Sequence, residues 1–125
     1  DRLNDLIIIV TGSRKWHRAD RVHLILDSYM PRLVIDGNCP TGADLHARQW
    51  LAQHGLPTRS YTADWKRYGK KAGPIRNGIM LREWCRFTNV RVIAFPLPDG
   101  SGTQDCMRQA LALGMLVENY GEVQL

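Results

Sequence analysis

Leu6-Ile7-Ile8-Ile9-Val10-Thr11-Gly12-Ser13-Arg14 is an apolar run that ends in a glycine turn, and it reads as a buried strand feeding a tight loop. The arrangement recurs twice. Leu33 to Asp36 leads to Pro40-Thr41-Gly42-Ala43-Asp44, and Val90 to Phe95 leads to Asp99-Gly100-Ser101-Gly102-Thr103. The second and third turns run straight into helical periodicity, while the first reaches its helix through Lys15 to Asp20. Strand, tight turn and helix together make an anion site, because the first amide N–H groups of a helix have no intrahelical acceptor and lie at the positive end of its dipole. Glycine lets that backbone come close to an oxyanion and take positive φ.

Working outward, Val22, Leu24, Ile25, Leu26, Tyr29 and Met30 repeat at helical spacing and place a first helix over residues 18–30, ended by Pro31. Residues 43–54 read as the second helix, with Gly55 as its stop. A short strand follows at residues 59–62, and the basic stretch 64–71 reads as irregular. The third helix is expected to begin where Gly73 precedes Pro74 at the first helical position and to run to about Phe87. A strand at 90–95, a helix at 103–113 and a strand at 115–119 complete the pattern. Alternating strands and helices imply right-handed crossovers and helices on both faces of a sheet. The expected fold is α/β: a Rossmann-like three-layer sandwich with a mostly parallel sheet of about five strands. With the order 3-2-1-4-5, all three glycine turns would converge at the carboxyl edge beside the switch point.

The 125 residues suit one domain over the whole chain. No apolar run reaches the ~20 residues of a membrane helix, and no signal-peptide pattern opens the chain, so a soluble, cytoplasmic protein is expected. The chain opens on Asp1 rather than Met, which suggests a preceding segment or a removed tag. Cys39, Cys85 and Cys106 are odd in number and widely spaced, so neither a disulfide framework, a metal site nor a bound cofactor is expected. The net charge of +5 points to an anionic partner, with nucleotide and nucleic acid both fitting.

Gly12, Ser13 and Arg14 combine a flexible backbone, a hydroxyl and a guanidinium at a strand end, a set that fits phosphate. The full Gly-x-Gly-x-x-Gly fingerprint is absent, which argues against dehydrogenase chemistry. Thr41, Gly42 and Asp44 fit two roles, an anion cradle or a helix N-cap with its acidic partner three residues on. Arg76 is expected in the first turn of its helix, where the dipole disfavours a cation by ~0.3–1 kcal/mol, so a bound anion would offset the cost, as would pairing with a structural acid. Asp64 and Trp65 precede the basic loop and read as a hydrogen-bond acceptor and a stacking wall for a purine, with Asn77 as a donor. Trp65 fits the core equally well. For Trp50 and Trp84, on apolar helix faces, core is the better reading.

Taken together, these turns resemble the SLOG superfamily, specifically its small single-domain branch related to YspA. The residues that carry the likeness are 10–14, Gly37, 41–44, Ala63-Asp64-Trp65, Ala72-Gly73-Pro74-Ile75-Arg76-Asn77-Gly78-Ile79-Met80 and Gly100-Ser101-Gly102-Thr103. The resemblance implies binding of nucleotides or nucleotide-derived signals such as ADP-ribose and NAD derivatives, and often assembly into homo-oligomers. The Lonely Guy relatives hydrolyse the N-glycosidic bond of nucleotides with an Arg in an Arg-x-x-x-Met-like block and a Glu after the last glycine turn. Here Arg76 and Met80 match, but the Glu position is Cys106, and Asp105 would point about 100° away on a helix.

The function expected from sequence is binding of a nucleotide or an ADP-ribose-like ligand, as a sensor or sequestering module, by Gly12, Ser13, Arg14, Thr41, Gly42, Asp44, Asp64, Trp65, Arg76, Asn77, Gly100, Ser101, Gly102 and Thr103. N-glycosidic hydrolysis of a nucleotide and binding of single-stranded nucleic acid are the alternatives. No catalytic residue is assigned, and Ile79, Trp84 and Phe87 are candidates for a homodimer face.

Overall fold

Ile8 and Val10 face one side of the first strand and Ile9 the other, so a run that alternates nowhere in polarity is buried on both faces. The computed structural model of the protein describes residues 5–98 and 100–121. It contains five parallel strands: β1 (Ile7–Gly12), β2 (Leu33–Asp36), β3 (Arg59–Ser60), β4 (Val90–Phe95) and β5 (Leu116–Asn119). Helices α1 (Ala19–Tyr29), α2 (Gly42–Gln53), α3 (Trp65–Tyr68), α4 (Ala72–Trp84) and α5 (Ser101–Ala112) alternate with them, and a 3-10 turn at Gly69–Lys71 joins α3 to α4. The sheet order is β3-β2-β1-β4-β5, the order assumed from the sequence. This is the α/β Rossmann-like sandwich.

Val22 and Leu26 of α1 and Ala47, Trp50 and Leu51 of α2 pack with Ile8, Val10, Val34 and Phe95 on one face of the sheet. Met80 and Leu81 of α4 and Cys106 and Ala110 of α5 pack with Ile9, Ile35 and Val92 on the other. Trp16 and Trp50 are buried; the indole N–H of Trp50 donates to Asp27 (2.8 Å) and that of Trp16 to the Arg18 carbonyl (3.1 Å). Burying two indoles costs little only because each N–H keeps a partner. Trp84 is half-buried and bonds the Tyr61 hydroxyl, while Ile79 and Phe87 are exposed.

Three local expectations are corrected. β3 is two residues long, an edge strand with both residues exposed, and its pairing ends where Tyr61 N meets the Asp36 carbonyl. Residues 65–71 are helical rather than irregular, because the Asp64 carboxylate accepts from Arg67 N (3.1 Å) and starts the turn that runs through to α4. As a result α4 begins at Ala72, Pro74 is its third residue and Arg76 its fifth. Proline is tolerated there because the first four N–H groups of a helix have no intrahelical acceptor anyway. Among the described residues, no helix is long and apolar enough to cross a membrane.

Candidate functional site

A cavity of about 570 Å³ opens at the carboxyl ends of β1 and β4, where the strand order reverses. Sheet geometry puts ligands at this place, since the loops leaving β1 and β4 diverge to opposite faces and leave a crevice between them. Of the residues singled out in the sequence, Gly12, Ser13, Arg14, Asp44, Trp65, Arg76, Asn77, Gly100, Ser101, Gly102 and Thr103 line it. Thr41, Gly42 and Asp64 do not. Asp99, the first residue of the third turn, lies outside the described residues.

The first loop is rigid. Ser13 N donates to Phe95 O (3.1 Å), Ser13 O accepts from Trp16 N (3.1 Å) and Ala43 N (3.3 Å), and Ser13 Oγ accepts from Lys15 N (3.0 Å). Thr41 and Gly42 of the second turn support this loop from behind, and only Asp44 at the turn's end meets the ligand space, so two glycine turns converge on the cavity rather than three. Thr41 Oγ1 donates to Arg14 O (2.9 Å) and caps nothing in α2. Gly42 sits at φ +76°, packed against the backbone of Ser13 and Arg14. The third turn opens α5, which has no side-chain cap among the described residues and no acid in its first turn. Its leading N–H groups therefore face the cavity with no intrahelical acceptor.

Arg76 joins three segments. Its guanidinium donates to the carbonyl of Gly37 and, at 3.4 Å, to that of Tyr61, while Nε donates to Asn77 Oδ1 (2.9 Å). Carbonyl acceptors on the loops after β2 and β3 thus hold this cation, where the sequence reading looked to a bound anion or a structural acid. Asn77 in turn donates to Asp105 Oδ2 (3.1 Å), which also accepts from Gln109 (2.8 Å). Asp105 and Cys106 do point in different directions on α5, as expected, but it is Asp105 that faces the cavity. Thr103, Cys106, Met107 and Ala110 bury the sheet-facing side of α5, which leaves Asp105 on the cavity wall and Cys106 in the core.

Asp64 is spent on capping α3 and stands outside the cavity. Trp65 is 48% exposed, so it is a wall and not core, and the Arg14 guanidinium lies 5.2 Å above its ring centre. Sequence reasoning missed Lys15, Cys39, Lys70 and Arg108, all on the lining. Lys70 and Arg108 left a weak signal, as cations just before and just after the glycine-rich helix starts; Cys39 left none. Five cations (Arg14, Lys15, Lys70, Arg76 and Arg108) against two carboxylates (Asp44 and Asp105) make the cavity net positive. Among the described residues no cluster of His, Cys, Asp or Glu is arranged to hold a metal.

Asp44 is the unusual group. It is 4% exposed; Oδ2 accepts from Gly37 N (3.1 Å) and Cys39 N (3.2 Å), while Oδ1 is buried without a hydrogen-bond partner among the described residues. Burial, and secondarily the nearby charge of Asp36, push its pKa up to about 6, against the pull of the Cys39 amide and Arg76. A carboxyl whose folded pKa lies above its unfolded 3.8 binds its proton more tightly in the native state, so the contribution of this group to stability is fully present below about pH 4 and is lost as pH rises through about 6. The ionisation costs ~3 kcal/mol. Asp44→Asn keeps an acceptor for the two amides and cannot ionise. Relative to wild type it is expected to gain ~1–3 kcal/mol in urea unfolding at pH 8, with the gain fading between pH 6 and 4. A difference that stays constant across that range would contradict the assignment.

A family model for the YspA, cpYpsA-related SLOG family matches residues 6–68. The Gene 61 protein of Mycobacterium phage D29 is 35% identical over 124 aligned positions, which cover 92% of this chain and 96% of that protein. The matched span holds β1 with its Gly12–Arg14 loop, β2, and the buttress from Thr41 to Asp44, and the likeness to the phage protein extends across the helices that complete the cavity. On these two matches and the sheet order, the chain belongs to the YspA, cpYpsA-related SLOG family.

Proposed function

We propose that the cavity binds the phosphate end of a nucleotide or of a nucleotide-derived ligand of the ADP-ribose or NAD-derivative kind, as a sensor or sequestering module. The observation that carries this reading is the pairing of the α5 N-terminus, which no side chain among the described residues caps, with arginines from three separate elements at the switch point of the sheet. Phosphate needs amide donors and planar guanidinium forks together, and this cavity supplies both. Trp65, exposed on the same lining, is the wall for a base.

The test is thermal unfolding against AMP, ADP-ribose, NAD, cyclic ADP-ribose isomers and a short oligonucleotide. A ligand at a hundred times its Kd adds ~2.7 kcal/mol, a rise of about 10 °C in a chain of this length. No shift with any nucleotide would sink the reading. Hydrolysis of the N-glycosidic bond is the second reading, favoured by the position of the Asp105 carboxylate on the cavity wall, held by Asn77 and Gln109. It requires free base to accumulate in the same samples and to stop accumulating in Asp105→Asn.

A further inference from the structure

The segment Trp65-Lys66-Arg67-Tyr68-Gly69-Lys70-Lys71 leaves the cavity rim and is exposed at every residue. Four of its seven residues are cations and two are aromatic. None of the four cations forms an ion pair among the described residues. The one neighbouring acid, Asp64, has its carboxylate committed to Arg67 N as the cap of α3. The Arg67 guanidinium lies 5.1 Å over the Tyr68 ring, as Arg14 lies over Trp65, so both aromatics present π-faces in company with cations. Trp65 and Lys70 belong to the cavity lining, whereas Lys66, Arg67, Tyr68 and Lys71 stand outside it.

We infer that this segment is a track for single-stranded nucleic acid, and that the terminal nucleotide of the strand occupies the cavity. The inference rests on the cavity reading and extends it from a free nucleotide to a strand end. Cations interleaved with exposed aromatic rings suit a strand with unpaired bases, because the phosphodiester backbone takes the charges while each base can stack on a ring whatever its identity. A bare polyanion would use the cations and leave Trp65 and Tyr68 with nothing to stack. A duplex would hide its base faces from both. Trp65 is shared by the two regions, so a terminal base stacked there hands its next phosphate to Lys66, Arg67 and Lys71.

The test is fluorescence anisotropy with labelled oligothymidylates of one to ten nucleotides in 50–200 mM salt. Affinity is expected to rise at least tenfold from the mononucleotide to the longest strand and to fall steeply with salt. The triple variant Lys66→Gln, Arg67→Gln, Lys71→Gln leaves the cavity lining intact. It is expected to keep mononucleotide affinity while the log–log salt slope for the ten-mer drops by ~2, about 0.7 per lost cation. Trp65→Ala is expected to weaken the strand ~5–100-fold. A linear strand should bind better than a circular one of equal length, because only the linear one offers an end.

An affinity independent of length, alongside a mononucleotide that still stabilises the protein, overturns the track and leaves the cavity reading standing. Failure of both mononucleotide and strand removes both. A strand that binds while mononucleotides neither bind nor compete overturns the placement of its end in the cavity. Polyglutamate binding as tightly as the strand also overturns the inference.

Discussion

Gly42→Ala is expected to lower the stability of the protein by ~3–5 kcal/mol, a fall of roughly 10–20 °C in Tm for a chain of this size. Two costs add. At φ +76° a side chain occupies a sparsely allowed region, and the new Cβ overlaps the Ser13 carbonyl oxygen and lies 2.7 Å from Arg14 Cα. All three of its nearest neighbours are backbone atoms of the first loop, so no rotamer change relieves the overlap. The loop has to move, and with it the bonds from Ser13 O to Trp16 and Ala43. The same substitution at Gly102 is the control: a Cβ there meets nothing within 4 Å, and its effect should stay within about 1 kcal/mol. Calorimetry on both variants decides the matter, and a loss under about 1 kcal/mol at Gly42 would refute the buttressing role of the second turn.

Arg76→Ala is expected to weaken any nucleotide that shifts the wild-type Tm by at least 100-fold, about 3 kcal/mol, because it removes a part-buried guanidinium from the cavity lining. The variant also strips donors from the Gly37 and Tyr61 carbonyls and leaves Asp44 without its compensating charge, which pushes that carboxyl further toward its protonated form. Some loss of stability is therefore built in. Arg76→Lys separates the two effects. It keeps the charge but not the planar fork that reaches two carbonyls and Asn77 together, so an intermediate loss of roughly tenfold is expected. Titration calorimetry on variants shown to be folded by circular dichroism provides the measurement, and unchanged nucleotide affinity in folded Arg76→Ala would take Arg76 out of the binding role.

Much of the candidate site was legible before any coordinates, in different ways for different residues. Gly12 to Arg14 and Gly100 to Thr103 announced themselves because strand-to-helix turns need glycine for local reasons, and local reasons are written in adjacent residues. Arg76 was singled out on a dipole argument that assumed a helix starting at Gly73. The residue does line the cavity, but α4 starts at Ala72 and its guanidinium rests on carbonyls from loops 15 and 39 residues away. Asp64 carries a local hydrogen bond of its own, three residues on, that competes with a ligand role, and the spacing from Asp64 to Arg67 was the missed sign of it. Lys15, Cys39, Lys70 and Arg108 enter the lining from four different segments, and no spacing rule relates them.

The order of elements and the mostly parallel sheet were legible in the sequence alone, because apolar strands alternating with amphipathic helices admit few right-handed packings, whereas the 3-2-1-4-5 arrangement was only assumed there and the structure supplies it. The tertiary structure alone decided which turn touches the ligand space and which only supports it. It also turned α5 so that Asp105, and not Cys106, meets the cavity, and it buried Asp44 beside Asp36 with one oxygen unpartnered. The physical reason is that burial, electrostatic neighbours and close backbone approach depend on atoms brought together from distant positions, whereas strand, turn and helix preferences depend on residues a few places apart.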